Sequence, residues 1–425
     1  MVGLFIGAGY LPVVRHWPWL AMCKAPRVPP ERSATADSER LAVAVDATPL
    51  LGRPTGVGAF CAGALSGLVE RQDLAISAFA ISWRRRRGIA NLVPTGVSVR
   101  QRAMPARPLL ASWSRFNRPA VEWFIGRHDV VHGSNFVVPP TRWAARVITV
   151  HDLAVMLFPE LCDPPTLAFP DLIRRAVADG AWVHTPSQFV ADQAVAELGI
   201  DSERVRAVHL GIPALPASTG AEDLGFQLPE GCGRYVLAIG TIEPRKDYPL
   251  LVSAFASATA DCPDVALVVV GGDGWGTRQF EEACAQSPAR ARIVRSGYIE
   301  DAQLAATLRQ AAMLAYPSVY EGFGFPPLQA MAEGVPVVAT EAGAVPEVVG
   351  DGALLVDPGD TDGLAAAIGW VLQGGSSVDE LVARGRRRSG QFSWEACAAG
   401  LDAIYREAVS ARPVDGHRPS SGAPS

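Results

Sequence analysis

Short apolar runs alternate with helical patterns along most of this sequence. In the first half, the runs that predict strands lie at 41–45, 74–79, 130–131, 147–150, 183–184 and 205–208. In the second half, such runs lie at 235–239, 266–270, 292–294, 313–316, 335–339 and 354–356. Strands that alternate with helices are typical of parallel α/β sheets. The pattern therefore predicts an α/β protein with two doubly wound, Rossmann-like domains of similar size that face a central cleft.

The segments outside these two domains lack a regular spacing of apolar positions. The predicted order is an N-terminal extension and linker at 1–40, a domain at 41–212, a linker at 213–233, a domain at 234–392, a helix at 393–410 and a disordered tail at 411–425. The apolar start of the extension is too short to span a bilayer. No positive charge precedes it, which argues against a secretory signal peptide. Two alternatives stay open: the extension is disordered or loosely attached, or it contacts a membrane.

Composition excludes several classes of protein. The net charge of −5 argues against a dedicated nucleic-acid binder, whose surface would be basic. The seven cysteines are odd in number and scattered without a C-x-x-C pair, which predicts neither a disulfide framework nor a zinc site. This use of cysteine suits a reducing cytoplasm.

The first candidate for chemistry is the segment G-T-I-E-P-R-K at 240–246, directly after a predicted strand. Ligands of parallel sheets bind at the carboxyl ends of the strands. Arg245 can bind phosphate oxygens with two parallel hydrogen bonds, and Lys246 adds a point charge. The pair therefore predicts a diphosphate site, although a solvated basic pair that caps a loop is the alternative for these two residues taken alone.

The second candidate is E-G-F-G-F-P-P at 321–327, which follows the predicted strand at 313–316. Its glycines allow backbone to approach a ligand closely, and Pro326 fits the first turn of a helix. A helix N-terminus behind such a turn attracts anions. Glu321 before the turn and Gln329 inside the helix are placed to flank one ligand. A plain loop–helix junction is the alternative.

These segments together resemble glycosyltransferase family 4 of the GT-B fold. The resemblance includes V-V-G-G-D-G-W at 269–275, G-Y-I at 297–299, G-V-P-V-V-A at 334–339 and G-A-V-P-E at 343–347, and it extends over about 41–409. It implies an acceptor-binding domain in the first half and a nucleotide-sugar domain in the second. It also implies transfer of a sugar with retention of the anomeric configuration, by an enzyme of the hexosyltransferase type.

The resemblance implies roles for residues of the second half. Arg245 and Lys246 match the diphosphate cations of the family, and Glu321 matches the acid that lies against the donor sugar. The other implied donor-binding positions are Gly240, Thr241, Tyr298, Ile299, Gly322, Phe323, Gly324 and Gln329. At Gln329 the sequence departs from the family, which has a second acid there that binds the ribose. An amide gives up charge-assisted hydrogen bonds, which are about twice as strong.

In the first half, Gly56 and Gly58 belong to a segment similar to the glycine-rich loop that faces the donor phosphates. His151 in T-V-H-D-L resembles the family histidine whose neutral imidazole hydrogen-bonds the donor. A histidine satisfied only within the fold is the alternative. Ser134, Asn135 and Asp152 are implied acceptor-side residues. Outside this site, Ser187 is predicted to cap a helix.

The expected reaction needs no metal and no cofactor besides the nucleotide-sugar co-substrate. In this family a donor phosphate oxygen is thought to take the acceptor proton, and electrostatic stabilisation carries the catalysis. The D-T-D at 360–362 resembles a metal-binding motif of another fold, but the helical run after it favours helix capping.

The resemblance is greatest to bacterial mannosyltransferases of surface-polysaccharide pathways, so GDP-mannose is the first expected donor and a UDP-hexose the second. The expected acceptor is a saccharide or a lipid-linked sugar. A nucleotide-sugar 2-epimerase and a non-catalytic protein that binds sugar nucleotides or saccharides remain alternatives.

One basic run lies outside the candidate site, at Arg84–Arg87. Four consecutive arginines cannot share one face of a helix or strand, which predicts an exposed loop. The run is either simply solvated or a peripheral contact with anionic lipid at the inner face of the membrane.

Overall fold

The structure is a computed structural model that describes residues 40–52, 55–162, 166–217 and 223–412. The predicted N-terminal extension lies outside these residues apart from Arg40. The predicted tail lies outside them apart from Ala411 and Arg412. Arg53 and Pro54 in the glycine-rich segment also lie outside, as do 218–222 in the predicted linker.

The first sheet has seven strands. They are β1 (Leu41–Asp46), β2 (Leu74–Phe79), β3 (Ser98–Arg100), β4 (Val130–Gly133), β5 (Ala145–Thr149), β6 (Trp182–Thr185) and β7 (Val205–Ala207). Their spatial order is β3-β2-β1-β4-β5-β6-β7. β1 pairs in parallel with both β2 and β4, so that its end at Asp46 lies inside the sheet.

The helices that accompany this sheet follow the strands along the chain. They are α1 (Gly56–Val69), α2 (Ala106–Phe116), α3 (Glu122–Ile125), α4 (Ala154–Leu157), α5 (Phe169–Ala178) and α6 (Gln188–Leu198). Side-chain caps define two of the starts. Thr55 accepts a hydrogen bond from Gly58 N at α1, and Ser187 accepts one from Val190 N at α6, which confirms the predicted cap.

The second sheet has six strands. They are β8 (Arg234–Ile239), β9 (Val265–Val270), β10 (Ile293–Gly297), β11 (Met313–Tyr316), β12 (Val337–Thr340) and β13 (Leu354–Val356), in the order β10-β9-β8-β11-β12-β13. The helices that follow β8 along the chain are α7 (Tyr248–Ala258), α8 (Thr277–Gln286), α9 (Asp301–Gln310), α10 (Phe325–Glu333), α11 (Val345–Val349), α12 (Thr361–Gln373), α13 (Ser376–Ser389) and α14 (Trp394–Ser410). All six residues of β9 are buried, as expected for a strand covered on both faces.

Each of the twelve strands predicted from the apolar runs is present, with ends that differ by no more than three residues. The strand that the sequence missed is β3. It has three residues, two of them polar and exposed, and it lies at the edge of the sheet beside β2. Such a short edge strand buries too little apolar surface to leave a pattern.

The described residues form two compact units. The first unit contains the residues up to Thr149, Arg175–Val183, and those from Leu401 onward. The second unit contains Val150–Arg174 and His184–Gly400. His151 and α6 therefore belong to the same unit as the second sheet. Two apolar clusters form the core of this unit around β8, β9 and β11.

No helix in the described part of the chain has both the length and the apolar character required to cross a membrane.

Candidate functional site

A buried carboxylate joins the two predicted phosphate cations in the second unit. Oε1 of Glu321 lies 2.6 Å from Nζ of Lys246, and Oε2 lies 2.9 Å from NH1 of Arg245. Nε of Arg245 also donates to Glu243 at 2.8 Å. The structure thus brings together Arg245, Lys246 and Glu321 as the sequence predicts, and it adds Glu243, which the sequence analysis did not single out.

Two loops at the carboxyl end of the second sheet hold this cluster. The P-R-K turn follows β8 as a single 3₁₀ turn, after which Asp247 caps α7 by accepting from Leu250 N. Val319 N donates to the carbonyl of Arg245 at 2.8 Å, so the turn is fixed to the segment that follows β11. These contacts place both cations beside Glu321 although 76 residues separate Arg245 from Glu321 along the chain.

The backbone of Glu321 is held by close packing on another loop. Gly343 has a φ of +60°, and a Cβ there would lie 2.7 Å from Glu321 N and 2.5 Å from Glu321 O. Ala344 N donates to the same carbonyl oxygen at 2.9 Å. A residue with a side chain at 343 would therefore displace the backbone that carries the carboxylate.

The electrostatics of the cluster keep Glu321 ionised. Burial alone would raise the pKa of Glu321, but Arg245 and Lys246 outweigh it and lower this pKa to about 2. Burial lowers the pKa of Lys246 against the opposing effect of Glu321. Arg245 has its pKa raised because Glu321, Glu243 and Asp152 outweigh the effect of its burial. The ion pairs with Glu243 and Glu321 therefore balance the two cations.

Lys246 has a further partner in Tyr316, the last residue of β11. Nζ of Lys246 donates to the hydroxyl of Tyr316 at 3.0 Å and lies 4.5 Å from the centroid of its ring. Because the ammonium group donates to both Glu321 and Tyr316, its orientation is fixed. The sequence analysis missed Tyr316, because a buried tyrosine at the end of a strand is indistinguishable from core.

The segment that contains His151 packs on the glycine of E-G-F-G. A Cβ at Gly322 would lie 2.0 Å from the backbone oxygen of His151, so only glycine fits there. Ser187 Oγ donates to the carbonyl of Gly322 at 2.9 Å. Burial raises the pKa of Asp152, the residue after His151. The structure thus brings the segment of His151 and Asp152 next to the Glu321 loop within the second unit.

The remaining predicted donor residues lie at the ends of neighbouring strands. Gly240 and Thr241 follow β8, and the side chain of Tyr298 after β10 is 57% exposed. Ile299 packs its side chain into the core. Phe323 is buried, and Gly324 with a φ of +110° precedes α10, in which Pro326 occupies the first turn as predicted.

Gln329 has a partner that the sequence did not indicate. It lies in α10, and its Nε2 donates to the carbonyl of Pro213 at 3.3 Å. A glutamate has no N–H to make this bond, so an acid at 329 would place two oxygen acceptors against each other. The structure therefore gives a local physical reason for the amide at this position.

In the first unit, a different polar cluster lies at the end of β1. Asp46 is buried and accepts hydrogen bonds from both the backbone N and the hydroxyl of Thr48. The hydroxyl of Ser134 and the thiol of Cys61 donate to the backbone oxygen of Asp46. Burial raises the pKa of Asp46 to about 6, although Thr48 acts to lower it. This cluster is built from hydroxyl groups, a thiol and a carboxyl group.

The other first-unit predictions lie near that strand end. Ser134 and Asn135 follow β4, which pairs with β1, and Gly56 and Gly58 form the first turn of α1. The sequence analysis did not single out Asp46. Its position as the last residue of a buried strand is the signal that points to it.

No group of three or more His, Cys, Asp or Glu residues among 40–52, 55–162, 166–217 and 223–412 is arranged to hold a metal ion. In the D-T-D segment, Asp360 caps α12 by accepting a hydrogen bond from Gly363 N at 2.9 Å. The predicted helix capping is therefore confirmed.

Two family models match the chain. The model described as Glycosyltransferase Family 4 matches residues 55–214, and the model described as Glycosyl transferases group 1 matches residues 226–388. The O-antigen chain mannosyltransferase B of Escherichia coli is 32% identical over 310 residues, which cover 71% of this chain and 81% of that protein.

Two solved structures share the fold at low identity. The sucrose-phosphate synthase of Thermosynechococcus elongatus has a TM-score of 0.66 and 20% identity, with 88% of this chain and all of that chain covered. The structure of Anabaena HepE in complex with UDP-glucose has a TM-score of 0.60 and 17% identity, with 87% of this chain and all of that chain covered.

Proposed function

This chain belongs to the family 4 glycosyltransferases, and from that premise we propose that it transfers a hexose from a nucleotide-sugar donor to an acceptor hydroxyl with retention of configuration. Its class, glycosyltransferase, and its GT-B fold of two Rossmann-like sheets agree with the sequence-based predictions. The donor, the acceptor and the stereochemistry are parts of the proposal.

The observation that carries the proposal is the cluster of Arg245, Lys246 and Glu321. When the bond between sugar and diphosphate breaks, negative charge grows on the leaving phosphate oxygens. Fixed cations stabilise that charge without reorganising at the moment of reaction. Arg245 supplies a planar donor group and Lys246 a compact charge at the carboxyl end of one sheet, where ligands of such sheets bind.

Glu321 gives this cluster a second role, which is to bind a hydroxyl group of the donor sugar. Its carboxylate now accepts from both cations, at 2.6 Å and 2.9 Å. A donor diphosphate that takes over an N–H group now bonded to Glu321 releases a carboxylate oxygen of Glu321. The released oxygen is then available to accept from a sugar hydroxyl. This exchange couples binding of the diphosphate to binding of the hexose.

Mannose carried by GDP is the first proposed donor, since the Escherichia coli relative is named a mannosyltransferase. A UDP-hexose is the second, since the HepE structure holds UDP-glucose. The proposed acceptor is a saccharide or a lipid-linked sugar. A screen of nucleotide sugars by thermal shift decides between the donors, because a ligand that binds the folded state raises the melting temperature.

The test of the function is nucleoside diphosphate release with and without an acceptor, followed by NMR assignment of the new anomeric bond. We expect release that depends on the acceptor and a product with the anomeric configuration of the donor. An inverted product contradicts retention. Release with formation of an epimerised free sugar favours the epimerase alternative, and binding without release favours the non-catalytic alternative.

We also propose that transfer needs no metal, because the two cations and the N-terminus of α10 provide the positive potential for the diphosphate. Activity is expected to persist after treatment with EDTA. Loss of activity that added Mg²⁺ or Mn²⁺ restores would contradict this part of the proposal.

The basic run of the first unit supports a peripheral contact with anionic lipid at the inner face of the membrane. Arg84, Arg85 and Arg87 are exposed, and the neighbouring Trp83 is 60% exposed. Arg86 instead donates to the carbonyl of Gln101 and fixes the turn. Tryptophan beside arginine is a combination that suits the interface of a membrane, where the ring enters the headgroup region and the guanidinium groups meet anionic lipid.

Vesicle co-sedimentation tests this contact. Each arginine near an anionic surface contributes about 1 kcal/mol, which salt screens. Replacement of Arg84 and Arg87 by serine is therefore expected to reduce pelleting with anionic vesicles at low salt. Arg278→Ser, which removes an exposed arginine of α8, is the matched control. Equal pelleting of the Arg84 and Arg87 variant and the Arg278→Ser control would contradict the lipid contact. Equal pelleting with neutral and anionic vesicles would contradict it too, and the basic run would then be a solvated turn.

A further inference from the structure

The hydroxyl group of Tyr320 connects two segments of the second unit that carry proposed catalytic residues. It accepts a hydrogen bond from Leu153 N at 2.8 Å and donates one to Oε1 of Gln193, also at 2.8 Å. Leu153 follows His151 by two residues, and Tyr320 directly precedes Glu321. One side chain therefore ties the histidine segment to the acidic loop and to α6.

The surroundings of Tyr320 leave its ring little freedom. The residue is 5% exposed, and the rings of Phe158 and Phe189 lie with centroids 6.1 Å and 6.0 Å from its own. Burial raises the pKa of Tyr320, so that the hydroxyl keeps its proton and can donate. With the ring held by packing and both hydrogen bonds formed, the position of Leu153 N relative to the Tyr320 backbone is fixed.

Two other contacts join the same segments from the other side. Gly322 packs against the backbone oxygen of His151 so closely that a Cβ would lie 2.0 Å from it. Ser187, the cap of α6, donates to the carbonyl of Gly322 at 2.9 Å. Glu321 therefore lies between two residues, Tyr320 and Gly322, that each contact the His151–Leu153 stretch.

We propose that Tyr320 is a positioning residue for transfer, which fixes the His151 segment relative to Glu321 through its paired hydrogen bonds to Leu153 and Gln193. The inference rests on the proposed function, since it assigns a role in that reaction. Transfer without an enzymic nucleophile depends on placement of the reacting groups, and a displacement of about 1 Å can lower a rate about 100-fold. A residue that touches neither substrate can therefore control turnover by holding those that do.

Tyr320→Phe tests the proposal with Tyr235→Phe as a matched control. Tyr235 is also buried in the second unit, and its hydroxyl donates to the carbonyl of Thr307 at 2.6 Å, within the core behind β8. We expect both variants to lose thermal stability, and Tyr320→Phe to lose more, since its hydroxyl group makes two hydrogen bonds and that of Tyr235 makes one. Only Tyr320→Phe is expected to lower kcat, by about tenfold, because a shift of the His151 segment by less than 1 Å should cost less than the roughly 100-fold loss of a 1 Å displacement. The donor KM is expected to change less than kcat.

A double-variant cycle shows whether Tyr320 acts through the histidine. In a His151→Ala background, Tyr320→Phe is expected to lower kcat by much less than tenfold, because the group to be positioned is gone. Gln193→Leu, which removes the acceptor of the phenol proton and leaves the ring in place, is expected to give a smaller loss in the same direction.

Three results separate the possible failures. Absence of nucleotide release by the unchanged protein contradicts the proposed function. Release with equal kcat in the Tyr320→Phe and Tyr235→Phe proteins overturns the role of Tyr320 alone. Fully multiplicative losses in the His151→Ala cycle overturn it too, since Tyr320 would then act independently of His151.

Discussion

Each unit places a buried carboxyl group at the carboxyl end of its sheet, but the two groups are stabilised in opposite ways. Asp46 at the end of β1 is surrounded by Thr48, Ser134 and Cys61, and burial raises its pKa to about 6. Glu321 after β11 contacts Arg245 and Lys246, and these cations overcome burial to lower its pKa to about 2. One carboxyl group lies among neutral partners and the other among cations.

The difference indicates what each site can bind. Hydroxyl groups beside a buried carboxyl group carry no cation that would attract a phosphate, so the Asp46 cluster is not suited to a diphosphate. Paired cations suit a diphosphate, whose charge would be costly to bury without them. The same sheet architecture thus gives Asp46 uncharged partners in the first unit, a cluster we call the neutral edge, and gives Glu321 cationic partners in the second unit, a cluster we call the ionic edge.

The largest effect is expected from Lys246→Ala, which removes one of the two cations of the ionic edge. Loss of one preorganised donor to a developing charge lowers turnover by about 10² to 10³-fold. The substitution also removes a partner of buried Glu321, which destabilises a protein by about 3–5 kcal/mol. Steady-state kinetics and thermal unfolding measure the two effects, and Arg245→Ala is expected to act in the same direction.

A second substitution separates those effects. Lys246→Ala combined with Glu321→Gln removes the uncompensated charge, so we expect most of the stability to return while turnover stays low. Turnover near that of the unchanged protein in Lys246→Ala would contradict the assignment of Lys246 to the phosphates.

The next effect concerns the neutral edge and is one of stability. The folded protein holds the Asp46 proton more tightly than the unfolded chain, because the pKa rises from 3.8 to about 6. The stabilising contribution of Asp46 to the free energy of unfolding is therefore fully present below pH 3.8 and is lost as pH rises through about 6. A shift of about two pKa units corresponds to about 3 kcal/mol.

Asp46→Asn removes this dependence while keeping an oxygen that can accept from Thr48. We expect the variant to gain stability relative to the unchanged protein when urea unfolding is measured at pH 8 and to gain little at pH 4. An equal difference at both pH values would show that Asp46 does not titrate in this range. Glu321 has the opposite sign, since its ion pairs stabilise above pH 4.5 and are lost as pH falls towards about 2.

The smallest expected effect comes from Gln329→Glu, which adds a negative charge to the second unit. The free energy of unfolding is expected to fall by about 1 kcal/mol, because the carbonyl of Pro213 loses its hydrogen-bond donor. If residue 329 reaches the ribose, nucleoside diphosphate binding is expected to tighten about fivefold through charge-assisted hydrogen bonds. Calorimetry with GDP and UDP measures this. Unchanged affinity for both would show that Gln329 serves α10 and Pro213 alone.

The sequence by itself determined the features that depend on neighbours in the chain. Apolar runs located twelve strands, a serine before an apolar periodic segment located the cap of α6, and Pro326 located the first turn of α10. Strand burial, side-chain capping and the fixed φ of proline act over a few residues, so the pattern of those residues records them. The segment that carries Arg245 and Lys246, the proposed diphosphate cations, was also located in this way, since it directly follows a strand.

Only the tertiary structure decided which partners these residues have. The bonds from Glu321 to Arg245 and Lys246, from Tyr320 to Leu153 and from Gln329 to Pro213 join residues between 75 and 167 positions apart. Parallel topology brings such positions together, and no local pattern records it. Both carboxyl groups are buried, so their pKa values shift in opposite directions because Glu321 has cationic partners and Asp46 has uncharged ones.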